Sequence, residues 1–220
     1  VARRMRVLFE IWHRDTDVIE NRSLLCRRCG FVIYSARPSA EDLDRKYPFL
    51  GSLDSDENSK GIAPEREQLR ANRLWRKLSR YTNRSPARVL DFGGGDGRLA
   101  ARFADEGCHC FVVDYAPEPV PEVVRLGSTL EDLAESERFN MVICSHVVEH
   151  LADPLGVLTR LRSHLVDGGV VYVEVPMEIW RRAPLLAEPV THVNFFNVGS
   201  MRTLLQRAGL QPIEVRLEDY

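Results

Sequence analysis

Val89-Leu90-Asp91-Phe92-Gly93-Gly94-Gly95-Asp96-Gly97 decides how this chain is read. A short apolar run opening at Arg88 enters a cluster of glycines, and a helix-forming stretch from Arg98 to Glu106 follows. Glycine lets a backbone turn sharply and approach a ligand with no Cβ in the way. The helix start beyond it offers unpaired N–H groups to an anion. Spacing separates two ligand classes. A dinucleotide loop needs G-x-G-x-x-G. Counted from Gly93 and Gly95 the third position is Arg98, and counted from Gly94 the second is Asp96, so both registers fail. The pattern D-x-G-x-G-x-G is met at every position by Asp91, Gly93, Gly95 and Gly97.

Outward from this loop, strand and helix patterns alternate. Pro64 and Glu65 suit a first helical turn, and Ala71, Leu74, Trp75, Leu78 and Tyr81 recur at helical spacing, which predicts a packed helix over 64–82. Residues 108–113, 140–145 and 170–175 read as further buried strands. Asp153-Pro154 is an N-cap with proline at the first helical position, and Gly168-Gly169 is expected to end that helix. A last helix over about 198–208 stops at Gly209 and leads into an expected strand at 211–217. Between Asp114 and Glu131 there is room for a proline-broken loop (Pro117, Pro119, Pro121) and one short strand, without a helix. Such alternation means a mostly parallel sheet with helices on both faces.

The segment Asp91 to Gly97 resembles the first motif of the class I S-adenosylmethionine-dependent methyltransferases. That resemblance covers about residues 87–215 and implies a Rossmann-like α/β fold. It implies S-adenosylmethionine as cofactor, with the loop of Gly93, Gly95 and Gly97 around its methionyl part and Asp91 holding its amino group. Asp114 ends Phe111-Val112-Val113-Asp114, where a carboxylate can accept hydrogen bonds from both ribose hydroxyls. Glu131-Asp132-Leu133 and Phe139 to Ser145 resemble the family's stretch along the adenine. Thr129 and Leu130 fall nearest the adenine, and Ser145 is counted with the cofactor contacts.

Ser145-His146-Val147-Val148-Glu149-His150-Leu151-Ala152-Asp153-Pro154 resembles the EH-x-x-DP segment of small-molecule methyltransferases. If helical, His146, Glu149 and His150 share a face that lies beside the methyl group in family members. Three roles stay open for it: a general base, since histidine ordinarily titrates near working pH, a divalent metal site, or helix-junction packing. Glu188 to Phe196 resembles the EH-x-x-F(F/Y) segment of sugar-modifying methyltransferases, in which the histidine faces the acceptor. His192 is therefore the first candidate for deprotonating an acceptor, while Phe195 and Phe196 are expected in the core.

Leu25-Cys26-Arg27-Arg28-Cys29-Gly30 resembles one zinc knuckle, as found in sugar C-methyltransferases and their relatives, and 36–47 fits the same pattern. Tetrahedral zinc needs four ligands, so Cys26 and Cys29 make a partial site, with His13 a candidate third. The resemblance further implies an upstream CxxC missing from this chain, and the absence of the family's closing antiparallel strand leaves two readings open, a fragment or an abbreviated sheet. Cys108 and Cys110 share a strand face and read as packing.

The 220 residues are 44% hydrophobic and 28% charged, with a formal net charge of -2. No general attraction to nucleic acid or anionic membranes follows from that charge. No apolar run is long enough to span a bilayer and no signal-peptide pattern is present, so a cytoplasmic enzyme is expected, with five reduced cysteines. The expected organisation is a small N-terminal Cys-containing region at 1–55, a linker and helix at 56–86, and the methyltransferase domain at 87–220. The expected activity is methyl transfer to a small-molecule acceptor, a sugar or sugar nucleotide among them. Two alternatives stand beside it: an RNA methyltransferase using the cysteine segment to bind, and a binding protein that holds the cofactor without catalysis.

Overall fold

A computed structural model of the chain describes residues 5–11, 21–34, 64–82, 86–115, 118–177 and 192–218. His13, the 36–47 pattern, the polar stretch at 51–56, Pro117 and Glu188 lie outside the described residues. Contacts divide the chain into two compact units that cut across chain order: residues 56–147 with 159–174, and residues 1–55 with 148–158 and 175–220.

The first of these is built on β4 (Arg88–Phe92), β5 (His109–Val113), β6 (Val123–Gly127), β7 (Phe139–Ser145) and β8 (Leu165–Glu174). They form one sheet in the order β6-β5-β4-β7-β8, with every neighbouring pair parallel. Continuous apolar runs suit such strands, because helices cover a parallel sheet and leave neither face to water. Helix α1 (Pro64–Leu78) and helix α2 (Arg98–Ala104) supply one cover. Leu74, Leu78, Ala100 and Phe103 pack there with Val89, Cys110, Val112, Met141 and Ile143. Phe103 meets Trp75 edge-on at 5.2 Å, and burying such a ring is worth about 1.5–3 kcal/mol. Arg88 and Leu90 point to the other face by strand alternation. There Phe111 and Phe139 stack edge-on at 5.8 Å under the Arg88 guanidinium, which Glu137 pairs. The order reverses between β4 and β7, the place where ligands bind in open parallel sheets.

The other unit holds an antiparallel sheet of β1 (Met5–Ile11), β2 (Asn21–Cys26), β3 (Val32–Tyr34) and β9 (Asn194–Phe195), in that order. Val32 and Phe195 form its small core with Leu25, and Phe31 lies 4.9 Å from Phe196. Phe195 and Phe196 are buried, as expected. Helix α4 (Val198–Arg207) starts at Asn197, whose side chain caps Ser200 N–H and also donates to the Gly30 carbonyl. The N-cap at Asp153 is present too, its carboxylate accepting from Gly156 N–H ahead of helix α3 (Pro154–Ser163).

Three sequence expectations are corrected. Helix α3 ends at Ser163, before the glycine pair, and β8 already starts at Leu165. Gly168 (φ +75°) and Gly169 instead lie where the β7–β8 register shifts, with the Val166 and Phe139 carbonyls too close to Gly169 for a Cβ. Residues 211–217 form no strand among the described residues. Their alternation is present, but Ile213 and Leu217 stay 71% and 58% exposed, and alternation makes a strand only where an edge accepts it. α1 stops at Leu78 and finishes as a 3-10 turn over Ser79–Tyr81. The short strand after the proline loop is β6, and no helix precedes it among the described residues. No helix of the described residues is long and apolar enough to cross a membrane.

Candidate functional site

The glycine loop leaves the carboxyl end of β4, the central strand. Its course is fixed by backbone bonds from Gly93 N–H to the Val113 carbonyl and from Gly97 N–H to the Gly94 carbonyl, both 2.9 Å. Gly93 and Gly97 combine a positive φ with close packing. A Cβ would lie 2.5 Å from Val147 at Gly93 and 2.9 Å from Val123 at Gly97. Gly95 also has a positive φ, +60°, but faces open space. Gly94, outside the D-x-G-x-G-x-G positions, is as constrained: its Cβ would sit 2.2 Å from Asp91 Cγ.

Asp91 lies under this loop, fully buried, and neither carboxylate oxygen has a hydrogen-bond partner. A buried, unpaired carboxylate is expensive, and marks a place where something else completes the bonding. Asp114 sits at the end of β5, and its Oδ2 accepts from Gly95 N–H at 2.9 Å. It thus ties the loop tip to the neighbouring strand while Arg125 holds its backbone carbonyl.

Burial pushes the Asp91 carboxyl up to about 7; Asp114 and Asp96 add to the rise and Arg70 opposes it. A carboxyl raised in the folded state binds its proton more tightly there than in the unfolded chain. The stability it contributes is therefore present near its ordinary range and is lost as pH rises through about 7. Thermal melts of ligand-free protein should show this contribution to Tm falling from about pH 4 to about pH 7 and levelling off above. Asp91→Asn should flatten that fall, and an equal fall in both proteins would remove Asp91 as its source.

Arg70, on α1, reaches the same end of the sheet. Its guanidinium binds Ser145 Oγ and pairs with Glu174 Oε2 at 3.2 Å, and Ser145 Oγ donates to the same Glu174 oxygen at 2.6 Å. Glu174 Oε1 is buried without a hydrogen-bond partner. Sequence reasoning places Ser145 here but misses Arg70 and Glu174. Glu174 did carry a signal, a lone acid closing the apolar run Val170-Val171-Tyr172-Val173 at a strand's carboxyl end. Arg70 carried none, since a polar helix position reads as solvated. Thr129 and Leu130 begin a 3-10 turn after β6, where Asp132 Oδ2 accepts from the backbone N–H groups of Ser128 and Thr129. Those two bonds hold the Asp132 carboxyl below its ordinary value. Leu130 is buried beneath the turn.

The histidine segment departs from the expected helical face. His146 is exposed with φ +56°, its N–H bonded to the Glu174 carbonyl, and only Val148–His150 form a 3-10 turn. The spacing i, i+3, i+4 therefore does not apply, and among the described residues Glu149 and His150 gather with His192 instead. All three belong to one unit. The His150 and His192 rings meet edge-on at 4.7 Å, and Glu149 Oε1 lies 3.8 Å from His150 Nε2.

Cys26 and Cys29 flank a tight turn closed by Gly30 N–H on the Cys26 carbonyl and released by Gly30 at φ +72°. Burial leads the causes that raise the Cys29 thiol, and contact with Cys26 adds to it. Cys108, Cys110 and Cys144 are buried and free, with burial pushing the Cys110 thiol up to about 12.

Residues 65–215 match the family described as a methyltransferase domain. A ubiquinone biosynthesis O-methyltransferase of Cereibacter sphaeroides is 33% identical over 152 residues, 58% of this chain and 61% of that protein. One of Xanthomonas campestris is 36% identical over 101 residues, covering 40% and 42%. The chain thus spans less than two-thirds of the length of these curated relatives. Among solved structures, the Burkholderia thailandensis 1,6-didemethyltoxoflavin-N1-methyltransferase, with bound S-adenosylhomocysteine, aligns at a TM-score of 0.62 and 17% identity. It covers 92% of this chain and 89% of its own. A SAM-dependent methyltransferase from Archaeoglobus fulgidus aligns at 0.54 and 22%, covering 74% of each chain. These two likenesses establish the shared fold.

Proposed function

The chain belongs to the class I S-adenosylmethionine-dependent methyltransferases, and from that premise we propose that it transfers a methyl group to a hydroxyl of a small-molecule acceptor. One observation carries the cofactor side: the buried Asp91 carboxylate, with no hydrogen-bond partner, beneath a glycine loop that Asp114 ties down. An unpaired buried carboxylate fits an ammonium group, and three glycines with positive φ fit a ligand approaching the backbone. Asp91 would hold the amino group, Asp114 the ribose hydroxyls, and the turn at Thr129 and Leu130 would flank the adenine. The bound cofactor supplies an already activated methyl on its sulfonium.

What the protein must add is alignment, exclusion of water and removal of the acceptor's proton. The Glu149–His150–His192 cluster is the proposed place for that last step, with His192 as the candidate base. The hydroxyl acceptor follows from the O-methyltransferase names of the relatives. A sugar or sugar nucleotide is the acceptor favoured by the turn at Cys26 and Cys29, with its likeness to the zinc knuckle of sugar C-methyltransferases. A panel of phenolic and sugar acceptors separates the two.

Calorimetric titration tests the cofactor. The wild type should bind S-adenosylmethionine and not NADH. Asp114→Ala should weaken binding by about 10- to 100-fold, the worth of a hydrogen bond to a charged group plus the loosened loop tip. Binding of NADH in place of S-adenosylmethionine would sink the function proposed here.

A further inference from the structure

The proposed cofactor contacts all leave one half of the parallel sheet: Asp91 from β4, Asp114 from the end of β5, Thr129 and Leu130 from beyond β6. In the order β6-β5-β4-β7-β8, the carboxyl ends of β7 and β8 make the other half. There Ser145 and Glu174 are register partners, so their side chains leave the same face of the sheet side by side. His146 N–H closes this crest from the backbone, bonding the Glu174 carbonyl at 2.9 Å. Glu174 stands two strand spacings, about 10 Å, from the strand of Asp91, a distance that a small molecule spans.

The Glu174 side chain is 9% exposed, and its two oxygens are not equivalent. Oε2 accepts from Ser145 Oγ at 2.6 Å and from Arg70 Nη2 at 3.2 Å, while Oε1 is buried without a partner. Arg70 already balances the charge of Glu174, so Oε1 lacks a hydrogen bond and not a cation. A neutral O–H or N–H completes it and leaves the buried pair neutral, whereas an ammonium group would add a charge with nothing to offset it. We propose that Glu174 is a specificity-determining residue for the acceptor, its Oε1 accepting a hydrogen bond from a second, neutral donor besides the hydroxyl that is methylated. This rests on the hydroxyl acceptor inferred for the chain. Ser145 and Arg70 position the carboxylate by holding Oε2, which keeps Oε1 for the acceptor. Sugar rings and dihydroxylated aromatic rings both bring a second hydroxyl. An ether oxygen has no proton to give and would meet Oε1 lone pair against lone pair.

Glu174→Gln tests this, because its amide has only one orientation that fits. Ser145 and Arg70 both donate, so the amide oxygen takes the place of Oε2 and the NH2 group that of Oε1. An accepting position becomes a donating one with little change of shape. Catechol and its monomethyl ether guaiacol are the phenolic probes; methyl glucopyranoside and its monodeoxy analogues are the sugar probes. Binding is measured at equilibrium with saturating S-adenosylhomocysteine. In the arm that matches the acceptor, the wild type should favour the fully hydroxylated compound by about 10- to 100-fold, the worth of a hydrogen bond to a charged group. Glu174→Gln should narrow that preference by about tenfold, since the bond left is a neutral one. Glu174→Asp, which withdraws the oxygen by one methylene, should narrow it too and replaces the amide variant if that one does not fold. A water trapped on Oε1, or a purely structural Glu174, predicts the same preference in wild type and variant and would overturn the proposal. Failure of the wild type to discriminate in either arm would overturn it as well. Titration of the same samples with S-adenosylmethionine keeps the two readings apart. A wild type that binds none counts against the function proposed for the chain, whereas intact cofactor binding with an unchanged preference counts against Glu174 alone.

Discussion

Gly94→Ala should lower S-adenosylmethionine affinity by about 10- to 100-fold, although Gly94 is not one of the motif glycines. Its φ is not in the left-handed region, so backbone strain is not the cause. The added Cβ would sit 2.2 Å from Asp91 Cγ and 2.3 and 2.6 Å from its two oxygens. Asp91 has no room to retreat, being fully buried at the end of the central strand. Displacing it would break the charge-assisted bond proposed between Asp91 and the cofactor's amino group, worth about 1.5–3 kcal/mol. Overpacking adds a folding cost of about 1–3 kcal/mol, which lowers Tm rather than affinity. Gly95→Ala is the contrast. Its Cβ meets nothing within 4 Å, leaving only the strain of φ +60°, about 1–2 kcal/mol. Calorimetry on both variants decides: a larger loss for Gly95→Ala would mean that close approach to Asp91 is not what the loop protects.

The second large effect falls on turnover. His192→Ala should reduce kcat by about 10²- to 10⁴-fold, the usual worth of a positioned acid–base group. Affinity for S-adenosylmethionine should stay nearly intact, since the glycine loop, Asp91 and Asp114 are all in the other unit. A structural role for His192 predicts otherwise, with cofactor affinity, thermal stability and turnover falling together. His150→Ala should follow His192→Ala, because the two rings form one edge-on pair at 4.7 Å. Single-turnover kinetics with saturating cofactor measures this without interference from product release.

The parallel sheet was legible because most of its strands are apolar runs, three of them closed at Gly93, Asp114 and Glu174. Strand β7 at 139–145 and the left-handed stop at Gly107 emerge almost where the pattern places them. Gly168-Gly169 misled for a physical reason. Paired glycines can stop a helix or let two strands shift register, and only the proximity of the Phe139 carbonyl selects the second. Residues 211–217 misled in the same way, since Ile213, Val215 and Leu217 alternate whether or not a sheet edge receives them.

The loop that opened the chain's reading, Asp91 to Gly97 with Asp114, was determined by sequence alone, because its chemistry is local: glycine spacing sets where backbone N–H groups can face a ligand. The tertiary structure decided what surrounds it. Arg70 reaches Ser145 and Glu174 only because α1 packs on α2 beside the sheet. The partner of Glu149 and His150 is likewise His192 rather than His146. The backbone reverses at His146, bonded to the Glu174 carbonyl, whereas Asn194 fixes the distant segment with three hydrogen bonds. A helical spacing rule assumes a continuous helix, and one residue in the left-handed region is enough to void it.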